Sequence, residues 1–136
     1  MNEELLRTLR GLPKDPTLAV ILYKQLFEGR YWALVQKPGG DLARMLFLTY
    51  PTRDGLRELP VFTAQDRRLL SKFSTEEPGA MTAELEGRSM WPRMLDIVKT
   101  RECEVAVDPT EQYGIRLTRE MILAMISMYG TAKPSA

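Results

Sequence analysis

The sequence contains no histidine and only one cysteine. Histidine is the commonest general base near neutral pH and a frequent metal ligand, so its absence excludes Ser–His and Cys–His catalytic pairs and histidine metal sites. Because Cys103 has no second thiol to pair with, the chain forms no internal disulfide, which suits a reducing compartment. An enzyme would have to use carboxylates, lysine, tyrosine or Cys103. These absences weigh against an enzyme, and we predict neither catalytic residues nor a metal or cofactor.

A long apolar run and a charge imbalance are also missing. No apolar stretch approaches the ~20 residues of a membrane span, and Glu3 and Glu4 stand where a signal peptide carries positive charge. The 19 basic and 18 acidic side chains leave a net charge of +1, which gives no field that would gather phosphates. We therefore predict a cytoplasmic protein whose partners include neither nucleic acid nor a membrane.

Length and composition are those of one ordinary globular domain. The chain has 136 residues, of which 44% are apolar and 27% charged, and a chain of this size buries roughly two-thirds of its unfolded surface. We expect residues 1–130 to form the domain. Residues 131–136 contain nothing to bury and are expected to be a frayed tail.

Two helices are predicted at the N-terminus. Leucines recur at helical spacing over residues 3–11, and Gly11 ends that segment. Asp15 and Pro16 are a start signal for a second helix, which should run from Pro16 to about Glu28. Its buried face is predicted to consist of Leu18, Ile21, Leu22, Gln25 and Leu26.

Three strands should follow, at residues 31–35, 44–50 and 57–62. In the second, alternation places Met45 and Phe47 on the face opposite Leu46 and Leu48. The pair Asp54-Gly55 predicts a hairpin between the second and third strands. The third strand is the pivot of the predicted fold, because it runs straight into Thr63, which forms a capping arrangement with Asp66 at the start of another helix.

The second half of the chain alternates strands and helices. We predict a short strand at 80–85, a helix capped by Ser89 with Pro92 in its first turn, and a strand at 102–107 with Cys103 facing inward. A brief strand at 115–117 leads to Thr118, which caps a last helix at 119–129. The fold class is α+β: a single domain with a mixed sheet of about five or six short strands packed against helices.

Several short motifs, in order and spacing, resemble the SseB-type (enhanced serine sensitivity) family, in particular its N-terminal domain. They are Leu59-Pro60-Val61-Phe62-Thr63, the Gly-Arg-Ser/Trp segment at 87–91, and Val105-Ala106-Val107-Asp108-Pro109 followed by a strand and a Thr-capped helix. The resemblance covers about Pro16 to Ile126. Two positions differ: the family more often has Asn-Pro where this chain has Asp108-Pro109, and Ser where it has Ala64. The resemblance implies an α+β domain without established catalytic residues.

The loop at 108–111 is the main candidate for a polar site. Its two carboxylates and hydroxyl are able to bind a cation or a polar ligand, although Asp108-Pro109 is also a common turn opener whose carboxylate bonds local amides. If the loop lies beside the junction of Phe62 and Thr63, both contribute free amides at one end of the sheet, as sites for anions or acidic groups do.

Apolar and aromatic side chains supply the other candidates. Tyr31, Trp32 and Trp91 either belong to the core or frame a partner groove, and the methionine-rich last helix either packs inward or forms an adaptable surface.

The leading hypothesis is a non-catalytic interaction or regulatory module that binds a protein partner or a second copy of itself through the last helix or a sheet edge. The alternative is a small-ligand-binding domain or carboxylate-based enzyme with its site in the concave region near the Phe62-Thr63 junction, the Asp108 loop and Trp91. The candidate surface comprises Phe62, Thr63, Trp91, Asp108, Tyr113, Met125 and Tyr129.

Overall fold

A computed structural model describes residues 3–36, 45–52, 55–64, 81–109 and 114–130. Within these ranges the helices are α1 (Glu3–Gly11), α2 (Leu18–Glu28), α3 (Gly87–Arg101) and α4 (Arg119–Tyr129). The strands are β1 (Arg30–Gln36), β2 (Leu46–Phe47), β3 (Tyr50–Pro51), β4 (Arg57–Phe62), β5 (Met81–Glu86), β6 (Cys103–Val107) and β7 (Ile115–Leu117). They form one mixed sheet with helices packed on it, so the predicted α+β class is confirmed.

The predicted pivot strand, β4, lies in the middle of the sheet. It pairs in parallel with β6 on one side and antiparallel with β1 and β3 on the other. β1 and β4 pair only at Trp32–Phe62 and Ala33–Val61. Beyond that point they separate, and segment 46–51 enters the fork: β2 pairs with β1, and β3 pairs with β4. β5 pairs along β1, and β7 pairs along β6.

The prediction of one strand over 44–50 was therefore wrong. The segment contains two short strands, β2 and β3, because its hydrogen-bonding partner changes from β1 to β4 along the fork. The predicted alternation is nevertheless present. Met45 and Phe47 belong to the main core, whereas Leu48 packs with Leu34 and Phe62 in a smaller cluster on the other face.

The main core lies between one face of the sheet and the four described helices. Alternate residues of β1, namely Tyr31, Ala33 and Val35, point into it. Cys103 and Val105 of β6 do the same, which confirms the predicted inward direction of Cys103. Burial raises the pKa of the Cys103 thiol, so the reactive thiolate is disfavoured at neutral pH.

α2 begins at Leu18, two residues later than predicted. The start signal acts through Thr17, whose amide and hydroxyl both donate to the Oδ1 of Asp15, at 3.1 and 2.5 Å. Burial of Ile21 was predicted wrongly, because 47% of it is exposed. The buried face of α2 is centred on Leu22 and Leu26, and Ile21 lies about 100° from Leu22 around the helix axis.

α3 begins at Gly87, directly after β5, so Ser89 is not its cap and Pro92 lies in its second turn rather than its first. Glycine is needed at the start of this helix because the backbone of Gly87 closely approaches the backbone at the end of α2. The amide of Gly87 donates to the carbonyl of Gly29 at 2.7 Å, and a Cβ at position 87 would lie 2.5 Å from the carbonyl oxygen of Phe27. No side chain fits there.

The cap of the last helix was predicted correctly. The amide of Met121 donates to the Oγ1 of Thr118 at 3.2 Å, and α4 follows. The helix expected after Thr63 with Asp66 and the tail at 131–136 lie outside the described residues. None of the helices in the described ranges has the length and apolarity that crossing a lipid bilayer requires.

Candidate functional site

Thr63 and Asp108 lie together at one edge of the sheet. β4 and β6 run in parallel, so the residues that follow them emerge side by side. The amide of Thr63 donates to the Oδ1 of Asp108 at 3.0 Å, and the Thr63 hydroxyl donates to Oδ2 at 2.7 Å. The amide of Asp108 in turn donates to the carbonyl of Val61 at 2.9 Å. The loop therefore does begin beside the junction, which was the condition for an anion site. The expectation of free amides was wrong for these two residues, because the amides of Thr63 and Asp108 are both hydrogen-bonded within the protein.

The backbone of Asp108 has a left-handed conformation, with φ 48°, and the residue is 3% exposed. Aspartate tolerates this conformation better than most residues do. Because both carboxylate oxygens accept hydrogen bonds from Thr63, Asp108 acts as a tie between the ends of β4 and β6. Thr110, Glu111 and Tyr113 of the same loop lie outside the described residues. No group of three acidic or cysteine side chains suited to a metal ion occurs in the described ranges.

A cavity of about 450 Å³ lies next to this tie. It is bounded by α1, by the end of α2, by the start of β1 and by Thr63 after β4. The lining residues are Glu4, Leu5, Gln25, Glu28, Gly29, Arg30, Tyr31, Trp32 and Thr63. Thr63 thus connects the predicted junction to a concave space, but the walls formed by α1 and the end of α2 were not predicted.

The wall of the cavity is held by two hydrogen bonds to one carbonyl oxygen. The Tyr31 hydroxyl donates to the carbonyl of Leu26 at 2.5 Å, and the Nε1 of Trp91 donates to the same oxygen at 2.7 Å. The two rings meet edge to face, with centroids 5.4 Å apart. Burial raises the pKa of Tyr31, and the negative charge of Asp108 raises it further. The phenol is therefore a neutral structural group.

Gln25 differs from the other polar lining residues. Its Oε1 atom is buried and accepts no hydrogen bond within the described part of the chain. A buried acceptor without a donor costs roughly 1–3 kcal/mol, and such a group in a folded protein calls for an explanation. The sequence placed Gln25 on the buried face of α2, and a polar residue on an apolar face was the available signal.

The charged groups at the rim are joined in pairs. The Nη1 of Arg30 lies 2.9 Å from the Oε1 of Glu84 on the adjacent strand β5. Arg88, at the start of α3, lies 3.0 Å from the Oε1 of Glu28. Arg30 is the only basic residue among the lining residues that the structure describes, and Glu4 and Glu28 are the acidic ones.

The seven residues of the predicted surface separate into groups. Thr63 and Asp108 are in contact, and Phe62 precedes Thr63 but is 3% exposed. Trp91 and Met125 are fully buried, so they contribute to the core and not to an accessible surface. Tyr129 is partly buried on α4. Of the aromatic residues considered for a groove, Tyr31 and Trp32 line the cavity, whereas Trp91 supports it from behind.

A second polar cluster lies on the face of the sheet opposite the main core. The carboxylate of Glu58 accepts a hydrogen bond from the Tyr50 hydroxyl at 2.5 Å and forms an ion pair with Arg116. Glu58 is 6% exposed, so these partners replace the water that would otherwise solvate its oxygens. A smaller cavity of about 190 Å³ adjoins Glu58 and Arg116. One oxygen of this carboxylate contacts the Tyr50 hydroxyl and the other contacts Arg116, as expected of a structural ion pair.

No protein-family model matches the chain, and no curated protein sequence matches it. The resemblance to the SseB-type family therefore stays a prediction, and a function has to be inferred from the site itself.

Proposed function

We propose that this chain is a small-ligand-binding domain whose ligand occupies the cavity beside Thr63. The cavity volume of about 450 Å³ is the observation that carries the proposal. Small-molecule sites span roughly 300–1,000 Å³ and combine apolar walls with a few placed polar groups. Leu5 and Trp32 supply the apolar part here, and Gln25 supplies an acceptor that has no partner. The absence of histidine favours binding over catalysis.

Two tryptophans give a direct readout of this binding. Trp32 lines the cavity, whereas Trp91 is fully buried with its indole N–H on the carbonyl of Leu26. In a ¹⁵N-labelled sample each indole N–H gives its own NMR signal, and a Trp32→Phe variant assigns them. A small-molecule library should contain compounds that move the Trp32 signal in a saturable way and leave the Trp91 signal in place.

A pair of matched variants locates the binding. Leu5 lines the cavity, and Leu9 lies one turn later on α1 outside the lining. Leu5→Phe should fill part of the space and weaken every library hit, whereas Leu9→Phe should leave affinities unchanged. Equal effects of the two variants, or no saturable hit in the library, would contradict the proposal.

The interaction module remains a second candidate because apolar side chains are exposed on two adjacent helices. α2 and α4 are joined by a hydrogen bond from the Tyr129 hydroxyl to the carbonyl of Val20, at 2.9 Å. Val20 is 54% exposed, and Leu123 on α4 is 49% exposed. If this surface mediates self-association, the mass in solution should rise with concentration, and Val20→Lys and Leu123→Lys should each reverse that rise. A constant monomer mass would exclude self-association.

A further inference from the structure

We infer that the ligand of this cavity carries a protonated amine on a short apolar stem. The inference rests on the proposed function and adds a ligand class to it. Three independent features of the wall lead to it: the sign of its charges, its unpaired acceptor and its aromatic side chain.

The charges favour a cation. Glu4 and Glu28 belong to the lining, and Asp108 is close enough for its charge to raise the pKa of Tyr31 behind the wall. Arg30, the basic member of the described lining, is engaged with Glu84, and Glu28 is likewise engaged with Arg88. Among these described groups the carboxylates of Glu4, Glu28, Glu84 and Asp108 still outnumber the two arginines. An anionic ligand would have to compete for that arginine and approach the carboxylates, whereas a cation is attracted by them.

The unpaired acceptor favours an N–H donor. Gln25 lines the cavity, and its Oε1 is buried without a hydrogen bond within the described residues. The last torsion of a glutamine side chain is broad, so the amide can turn its oxygen towards a donor in the cavity. An ammonium group supplies three donors and no acceptor. It therefore satisfies Gln25 and at the same time offers donors to the neighbouring carboxylates.

The aromatic and aliphatic side chains explain why the cation should carry a stem. Trp32 and Leu5 form the apolar part of the lining. The face of a tryptophan ring attracts an ammonium group, and burial of a few methylene groups against Leu5 adds hydrophobic affinity. A bare inorganic cation would use neither feature.

The test compares three probes that share one stem and differ only in the head group: n-butylammonium, 1-butanol and butyrate. Dissociation constants come from titrations of the Trp32 indole signal at pH 7 and low ionic strength. We expect n-butylammonium to bind about tenfold more tightly than 1-butanol, and butyrate to bind most weakly. Added salt should weaken the binding of n-butylammonium and leave that of 1-butanol unchanged, because salt screens charge interactions.

Gln25→Met separates a binding role of Gln25 from a structural one. Methionine keeps the length of the side chain and removes the unpaired acceptor, so the melting temperature should be maintained or raised. The affinity for n-butylammonium should fall about fivefold, while that for 1-butanol stays within a factor of two. A residue that only fills space would not produce this combination.

Charge removal gives the matched pair of variants. Glu28→Gln should weaken the binding of n-butylammonium several-fold, whereas Glu120→Gln in the first turn of α4, outside the lining, should not change it. If the Trp32 signal responds to neither the library nor the three probes, both proposals fail. If library compounds bind but n-butylammonium has no advantage over 1-butanol, the ligand class is wrong and small-ligand binding stands.

Discussion

Asp108 holds Thr63 by both oxygens of its carboxylate, one on the amide at 3.0 Å and one on the hydroxyl at 2.7 Å. This contact joins the ends of β4 and β6, the parallel pair at the centre of the sheet. It also fixes Thr63, which forms part of the cavity wall. The tie is therefore expected to affect both stability and the shape of the site.

Asp108→Asn should lower the free energy of unfolding by about 1–2 kcal/mol in urea denaturation. Asparagine tolerates the left-handed backbone at this position, so the loss reflects the missing acceptor and not backbone strain. Thr63→Val removes the hydroxyl alone and is the partner for a double-mutant cycle. If the two losses simply add, the side chains are not coupled and the tie is wrongly assigned.

Tyr31 should make the protein less stable at alkaline pH. Its pKa is raised in the folded state, first by burial and then by the charge of Asp108, whereas an unfolded tyrosine titrates near pH 10. Above that pH the unfolded state binds fewer protons than the folded state, so stability falls as pH rises, by about 1.4 kcal/mol per pH unit from this residue.

The measurement is urea denaturation from pH 9 to 11.5. Tyr31→Phe should give a slope that is shallower by about 1.4 kcal/mol per pH unit above pH 10. Trp91→Phe is the control, because it removes the other hydrogen bond to the carbonyl of Leu26 without removing a titrating group. It should lower stability at every pH and keep the slope. Identical slopes in wild type and Tyr31→Phe would refute the assignment.

The ion pair between the buried Glu58 and the partly exposed Arg116 should contribute more than a fully exposed pair. Arg116→Gln leaves the 6% exposed Glu58 with the Tyr50 hydroxyl as its described partner, and we expect a loss of about 2–3 kcal/mol. Arg30→Gln removes the exposed pair with Glu84 and should cost less than about 1 kcal/mol. Chemical denaturation of both variants gives the comparison, and similar losses would show that burial of Glu58 has little energetic effect.

Gly87→Ala should be strongly destabilising although alanine is the better helix former. The new Cβ would lie 2.5 Å from the carbonyl oxygen of Phe27, and backbone atoms on both sides prevent a small adjustment. We expect a loss of about 2–3 kcal/mol, as in an overpacked core. Gly11→Ala is the control. Its Cβ would meet the flexible end of Leu18 at 2.8 Å, and its melting temperature should change little.

The sequence predicted the individual helices and strands better than it predicted which elements pair or pack with each other. Local signals were sufficient for α1, β4, β6 and the Thr118 cap, because each depends on periodicity and on residues within one turn. They were insufficient for segment 46–51, whose division into β2 and β3 is imposed by the separation of β1 from β4. They also missed the start of α3, because the close approach of Gly87 to Phe27 and Gly29 is a long-range contact.

Prediction of the site was partial for the same reason. Two strands that each end in a polar residue could be recognised locally, but the parallel pairing that brings Thr63 and Asp108 together could not. The cavity depends on how α1 and the end of α2 pack beside β1, which no local pattern encodes. Trp91 and Met125 showed the apolar character of a partner surface, but the same character suits a core, and the core is where they lie.

The pairing of β1 with β5 has a consequence for how the chain acquires its fold during synthesis. β1 is made early, yet the strand that pairs along its length begins only at Met81, and β4 has to wait for Cys103–Val107 before its parallel neighbour exists. Such distant pairings slow folding, because long loops must close first. β1 therefore leaves the ribosome with an unpaired strand edge, which is covered only when β5, in the second half of the chain, has been made.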